Sequence, residues 1–422
     1  MDKKIFKVAI IGVGSRGGES YGLLLNKDKR FKISSLCDIR KIRLEQYKKI
    51  FNVPDNEVFL DEEDFFKKKR GDILIIATQD RNHVRHALKA LKLGYDILLE
   101  KPITPIKSEA IKLLEASKKY HQKVLVCHVL RYAPTYVKVK QLLDDKVIGD
   151  LVNIEALEQV AYWHQAHSFV RGNWRSSKET SPMILAKCCH DLDLLQYYAN
   201  SKCKTVSSFG ELSFFNKEHQ PKGASNSCSS CKYLKTCPYS AYRVYVERWK
   251  EAKKPKSMWP QNVVCPSIDL NEQAIIKAYN KSNYGSCVFK CDNDVVDHQV
   301  ASMVFNNGVT ATLTMTAFTS HGGRIYRFHG TYGDIVLDED NAILSIRRFG
   351  EKDKNIPFSS LLDINGGHGG GDAHLINDLY NMVLGKCQIK TALEASIESH
   401  LMAYAIEESR QANGKNILVH KS

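Results

Sequence analysis

Over the first 128 residues, short runs of consecutive apolar residues alternate with stretches whose apolar positions recur every third or fourth residue. Lys7-Val8-Ala9-Ile10-Ile11, Phe31–Cys37, Asp72–Ala77, Asp96–Leu99 and Lys123–Cys127 are nearly continuous and rich in β-branched residues, which predicts strands buried on both faces. Val58-Phe59-Leu60 predicts a shorter strand, and Lys41–Phe51, Asn82–Lys92 and Lys107–Tyr120 carry helical spacing. Strand-helix alternation of this length predicts an α/β domain with a doubly wound parallel sheet, whose ligands gather at the carboxyl ends of its strands.

From about Asp150 the pattern changes to longer strands: Leu151–Val160, Val295–Phe305, Val309–Ala317 and Arg324–His329. Tight turns such as Asn306-Asn307-Gly308 separate some of them and predict hairpins, so the second domain is α+β. The expected division is 1–128 and 129–422, with a Cys-, Pro-, Lys- and Tyr-rich insertion at about 216–283. A final helix is expected at about 392–411, before the short strand Ile417-Leu418-Val419.

The length of 422 residues fits two domains, and 43% hydrophobic with 26% charged residues is ordinary for globular chains. The net charge of +14 is scattered, Lys67–Arg70 being the longest basic run, which argues against nucleic acid as a partner. No apolar run approaches membrane-spanning length, and Met1–Val8 leads into a strand without a basic-then-apolar leader. With twelve cysteines in patterns unlike a small disulfide scaffold, the expectation is a soluble cytoplasmic protein with no membrane partner.

Gly12, Gly14 and Gly17 follow the first strand as G-x-G-x-x-G, the turn that lets a backbone approach a pyrophosphate and sets a helix N-terminus on it. Asp38 ends the second strand about twenty residues on, where a carboxylate binds ribose hydroxyls. It favours NAD, with NADP the alternative because Arg40 and Arg43 lie close by. Thr78, Asp80, His83, Glu100 and Lys101 fall at later strand ends.

The glycine turn, Asp38, Ala77-Thr78-Gln79-Asp80-x-x-His83, Glu100-Lys101-Pro102 and Arg131-Tyr132-x-Pro134 together resemble the glucose-fructose oxidoreductase / inositol dehydrogenase / MocA family. His190-Asp191-Leu192-Asp193 and Gly330-Thr331-x-Gly333 extend the resemblance over nearly the whole chain. It implies an N-terminal Rossmann domain and a C-terminal domain with a large, mostly antiparallel open sheet that also makes oligomer contacts, as a homodimer or homotetramer. It also implies NAD(P)-linked oxidation of a secondary hydroxyl on a sugar, sugar derivative or inositol. Gly12, Gly14, Arg16, Gly17, Asp38, Thr78, Asp80, His83, Glu100 and Lys101 would then hold the cofactor. Lys101 and His190 would be catalytic, since the hydroxyl proton must leave with the hydride, and Asp193 would fix the His190 tautomer beside the substrate. The family pattern has an aspartate four residues before that histidine; this chain has Ala186, with Lys187 next to it.

Tyr162-Trp163-His164-x-x-His167 and Arg175 combine aromatic faces with donors, a composition suited to a carbohydrate. Lys187, His298 and His368, the last among glycines, complete the expected substrate set. Cys228-x-x-Cys231-x5-Cys237 and the later Cys265 would close a tetrahedral structural zinc. A second function remains open on the same fold: an NAD-dependent, redox-neutral glycosidase working by transient ring oxidation and elimination, similar in its Gly-His-Gly-Gly loop. A non-catalytic sugar-responsive regulator is disfavoured because the cofactor turn and Lys101 are intact.

Overall fold

The computed structural model describes residues 4–266, 270–362, 367–386 and 389–420. The first sheet contains β1 (Phe6–Ile11), β2 (Phe31–Cys37), β3 (Val58–Phe59), β4 (Ile73–Ile76), β5 (Asp96–Leu99) and β6 (Val124–Val126). It is parallel throughout, in the order β3-β2-β1-β4-β5-β6. The strand order reverses between β1 and β4, and this opens a crevice at their carboxyl ends.

The apolar runs divide by strand periodicity. Val8, Ile10, Ile75, Leu98 and Leu125 face one core; Ala9, Ile11, Ile76, Ile97 and Leu99 face the other. Burial on both faces explains why these strands read as continuous hydrophobic runs, each large aliphatic side chain stabilising by about 1.5–3 kcal/mol.

The second sheet has nine strands: β7 (Leu151–Gln159), β8 (Cys203–Glu211), β9 (His298–Phe305), β10 (Thr310–Thr316), β11 (Gly323–Gly330), β12 (Gly333–Asp338), β13 (Ile343–Arg348), β14 (Lys354–Pro357) and β15 (Ile417–Leu418). Its order is β14-β13-β12-β11-β7-β10-β9-β8-β15; only β7 and β10 pair in parallel. In β9, Ala301, Met303 and Phe305 point into the core while Val300 and Val304 are exposed. Phe209 on β8 is paired with Val300 and is also exposed, so the outer face carries an apolar patch.

Strand β9 begins three residues later than the expected Val295. Asp297 accepts from Ser213 Oγ (3.0 Å) and Phe214 N (2.7 Å), closing a turn where the apolar pattern suggests a ladder. Between β8 and β9 the insertion builds its own core around Tyr245, Trp249, Ile275 and Tyr279.

The final helix, Leu393–Gln411, packs on the helices Lys107–Tyr120 and Cys189–Ala199 and on β8, joining the two halves. His400 on this helix is fully buried. Its Nε2 accepts from Ile103 N (2.8 Å) and its Nδ1 donates to Ser396 O (2.9 Å), a pairing open only to the neutral ring. Burial, reinforced by His128, lowers its pKa to about 3. An unfolded histidine titrates near 6.5, so this contribution to stability is complete above that pH and is lost as pH falls toward 3, at about 1.4 kcal/mol per unit. Urea unfolding at pH 7 and 5.5 should show His400→Gln losing roughly 1 kcal/mol less than the parent over that interval.

Candidate active site

The cleft begins at the turn after β1. Gly12 has φ +87°, and a Cβ there would lie 2.4 Å from Ala77 O; a Cβ on Gly17 would lie 2.1 Å from Gly12 O. Only glycines let β1, β4 and the helical segment Ser15–Gly22 approach this closely. The first amides of that segment have no carbonyl a turn earlier to bond, so they are available to an anion.

Asp38, buried at the end of β2, accepts from Val13 N (2.7 Å) and Arg40 N (2.8 Å), fixing the turn's shape. These features line one wall of a cleft of about 880 Å³. The glycine turn, the free amides and the buried carboxylate fit a dinucleotide.

At the end of β5, Glu100 is buried. It accepts from Arg16 Nε (2.7 Å), Tyr21 OH (2.7 Å) and Lys101 N (3.0 Å). Burial would raise its pKa, but Arg16 and Lys101 hold it below the usual carboxylate value. Arg16 also binds Asp372 with Nη2 (2.8 Å) and Nη1 (3.2 Å). Asp372, in the first turn of the helix Gly371–Val383, reaches back to the glycine turn and to His368 Nδ1, 3.2 Å away. Arg16 thereby acts as a brace under the cofactor wall, and His368 is drawn to the cleft.

Lys101 projects into the cleft, with Nζ 3.0 Å from Ala186 O. His190 lines the same space, 6.4 Å between ring centroids from His368. Burial, then the charges of Lys101, His128 and Arg324, hold its pKa well below 6.5, so the ring is neutral. Its Nδ1 is buried without a partner among the described residues.

Lys187 and Arg324 form a further wall. Lys187 Nζ lies 2.9 Å from Glu158 Oε1, Arg324 Nη2 lies 2.8 Å from Glu158 Oε2, and Arg324 Nε donates to Asp191 Oδ1 (2.8 Å). Lys187 is placed at the cleft, as expected of a substrate-set residue, by a break between two helices. The helix stops at Ala186 and restarts at Cys189, which turns Lys187 to the cleft.

His164, His167 and Arg175 also line the cleft, with Phe169, Trp174, Trp259 and Tyr284 supplying aromatic surface. Burial and neighbouring cations hold His164 well below 6.5, and burial with Arg171 brings His167 to about 3. Asp80 accepts from Trp174 Nε1 (3.1 Å) and Ser181 Oγ (2.6 Å), which ties the cofactor wall to the second half of the chain.

Several expected site residues lie elsewhere. The His83 ring nitrogens sit 2.7 Å from Pro102 O and 3.0 Å from Thr78 O, so His83 braces the Lys101 loop from behind. Gly17 shapes the turn from beneath. Trp163 is covered by the Arg248 guanidinium, 3.8 Å from its ring centre, and Tyr162 packs edge-on against Tyr239. Asp193 is buried and bound by Arg131 Nε (2.6 Å) and Nη2 (2.7 Å), away from His190. His298 leans on Asp297 (2.8 Å), at the turn before β9.

The zinc expectation is corrected. Cys228, Cys231 and Cys237 do line one small cavity, but with Cys287 as the fourth cysteine. Cys265 follows a short helix into the insertion's apolar core beside Val264 and Ile275. Among the described residues no group of three or more His, Cys, Asp or Glu is placed to hold a metal ion.

Arg324 was missed by sequence reasoning, although a signal exists: it shares the inward face of β11 with Tyr326 and Phe328, a charge on an apolar alternation. Trp174, Trp259 and Tyr284 come from loops, where periodicity says nothing.

A glycine turn on a parallel sheet, facing a lysine and a neutral histidine across a cleft, defines a nucleotide-dependent oxidoreductase. Residues 6–128 match the NAD-binding Rossmann-fold domain of the GFO/IDH/MocA oxidoreductase family, and residues 140–417 match its C-terminal α/β domain. The chain belongs to that family.

A putative oxidoreductase, YteT, of Bacillus subtilis is 25% identical over 393 residues, 88% of each chain. An inositol 2-dehydrogenase of Corynebacterium glutamicum is 23% identical over 204 residues, 48% of this chain and 57% of that one. Among solved structures, an oxidoreductase from Agrobacterium radiobacter in complex with NAD+, L-tartaric acid and magnesium superposes with TM-score 0.69 at 14% identity, covering 98% of both chains. The WlbA dehydrogenase from Bordetella pertussis in complex with NADH and UDP-GlcNAcA gives TM-score 0.69 at 14% identity, covering 100% of this chain and 99% of that one. Among the described residues no helix is long and apolar enough to cross a membrane.

Because Arg324 is shared by two fully buried carboxylates, Arg324→Met should destabilise the fold by about 3–5 kcal/mol in urea unfolding. Lys187→Met should cost less, since Glu158 keeps Arg324.

Proposed function

We propose that the chain transfers a hydride between a nicotinamide dinucleotide and a secondary hydroxyl of a sugar, sugar derivative or cyclitol. The observation that carries this reading is the Lys101 amine, which enters the cleft from the cofactor side and faces the residues of the second half. The names of the relatives support the substrate class: inositol dehydrogenases by sequence, and a structure holding NADH with UDP-GlcNAcA by fold.

The Ser15–Gly22 amides would hold the diphosphate and Asp38 the adenosine ribose. That carboxylate favours NAD over NADP, whose phosphate it would repel, although Arg40 lies beside it. When bound, the nicotinamide supplies the hydride acceptor. Lys101 Nζ takes the hydroxyl proton as the carbinol carbon is oxidised. Burial and the neighbouring cations keep the His190 ring neutral, so it serves as a hydrogen-bonding partner that orients the hydroxyl. Glu100, fixed by Arg16 and Tyr21, keeps Lys101 at its post.

The redox-neutral glycosidase reading has no such support: the relatives and structures named above are oxidoreductases and dehydrogenases. The apolar outer face around Phe209, Val300 and Val304 is where copies would meet in a homo-oligomer.

Lys101→Met should lower kcat by at least about 100-fold, as expected for loss of a proton-transfer group, while NADH binding measured by fluorescence changes less than threefold. Turnover at the parent rate would remove Lys101 from the mechanism. Steady accumulation of NADH from a free sugar separates the dehydrogenase from the glycosidase, which releases an aglycone without net NADH.

A further inference from the structure

The wall formed by Lys187 and Arg324 goes beyond what proton transfer needs. Both side chains grip one carboxylate, Glu158, by its two oxygens at 2.9 and 2.8 Å, so their cationic ends are neighbours. Glu158 and Asp191 are fully buried behind them and do not line the cleft, whereas Lys187, Arg324 and Lys101 do.

Lys187 and Arg324 both have donors left over: among the described residues Lys187 Nζ, with three hydrogens, meets Glu158 Oε1 alone, and Arg324 Nη1 has no partner. Of the carboxylates that line the cleft, Asp80 is committed to Trp174 and Ser181, and Glu100 to Arg16 and Tyr21. The cleft therefore presents the cationic ends of Lys187 and Arg324 with unused donors, while Glu158 and Asp191 lie behind them.

We infer that the substrate is a sugar acid, its carboxylate bound by Lys187 Nζ and Arg324 Nη1 while Lys101 takes the proton of the oxidised hydroxyl. This rests on the oxidoreductase reading and narrows it from polyols in general to those carrying a carboxylate. Planar guanidinium and ammonium donors side by side suit the two oxygens of such a group. Burial, reinforced by the neighbouring cations, keeps His164 and His190 neutral, so they remain hydrogen-bonding partners for hydroxyls and do not add further charge.

The test uses the full chain with NAD and matched sugars of the gluco and galacto series: the uronate, the isosteric uronamide, the neutral aldose and the aldose 6-phosphate. Binding is read from tryptophan fluorescence, since Trp174 and Trp259 line the cleft, and turnover from NADH absorbance. The uronate should bind at least tenfold more tightly than its uronamide. Lys187→Gln, which leaves Glu158 paired with Arg324, should shrink that ratio below threefold.

Equal binding of acid and amide overturns the inference, as does tighter binding of the 6-phosphate, or a ratio unchanged in Lys187→Gln. Neutral aldoses oxidised as well as the acids would sink the inference and leave the oxidoreductase reading standing. Preferential uronate binding without NADH formation in any series would do the reverse. No binding of any of these sugars would overturn both.

Discussion

The site depends on one buried carboxylate. Glu100 is buried at the end of a strand, and its oxygens are filled by protein donors. Arg16 and Tyr21 come from the helical segment after the glycine turn, and the Lys101 amide from its own chain. A residue in the phosphate-facing segment, a strand end and the amine proposed to handle the proton are thereby locked together. Arg16 passes the constraint onward to Asp372 and so to the second half of the chain. A charge buried in this way adds little net stability, but removing one partner would leave an unpaired ion in a low-dielectric interior. Its consequence is placement: the cofactor wall cannot shift without Lys101 shifting too.

The second layer of charge works in the opposite sense. Glu100 faces inward and is neutralised, whereas Glu158 and Asp191 sit beneath the cleft and hold cations up to it. Where an aspartate would ordinarily stand four residues before His190, the chain has Ala186, whose backbone carbonyl receives Lys101. In the mechanism proposed above the amine handles the proton, and Lys187 follows Ala186 at the break and lines the cleft. The break between the helices Met183–Ala186 and Cys189–Ala199 makes this geometry available.

The parallel sheet was legible because strands buried on both faces leave an unmistakable run of aliphatic residues, and helices between them keep strict periodicity. The second sheet was legible only in part. β9 and β10 alternate cleanly around Asn307-Gly308, but β12 and β14 are short and carry charged or polar residues at their ends, so their pairing is decided by neighbours distant in sequence. At the site, residues fixed by the glycine turn or by strand ends could be placed from sequence. Arg324, Trp259 and Tyr284 could not, because they arrive from 72 to 137 residues beyond Lys187 through register and loop packing. Asp193 misled for a related reason: helical spacing puts it near His190 along the chain, but a buried guanidinium from Arg131 claims it first.

The insertion is the least legible part, and it is tied to the site through another buried cation. Arg171 is almost fully buried. Its Nε donates to Ser286 O (2.7 Å), and its Nη2 donates to Tyr239 O (2.7 Å) and toward Cys228 Sγ (3.5 Å). All three acceptors lie in the segment between β8 and β9 that contains the insertion, while Arg171 itself ends the helical segment Gln165–Arg171 that carries His167. His167 in turn stacks on Tyr284 (4.9 Å between centroids) and meets Trp259 edge-on (5.3 Å). The insertion therefore anchors the segment that bears the cleft histidines and contributes two of the aromatic rings beside them. One wall of the cleft is set by the strand ends of the first sheet; the opposite aromatic wall is set by how Arg171 fastens this added segment.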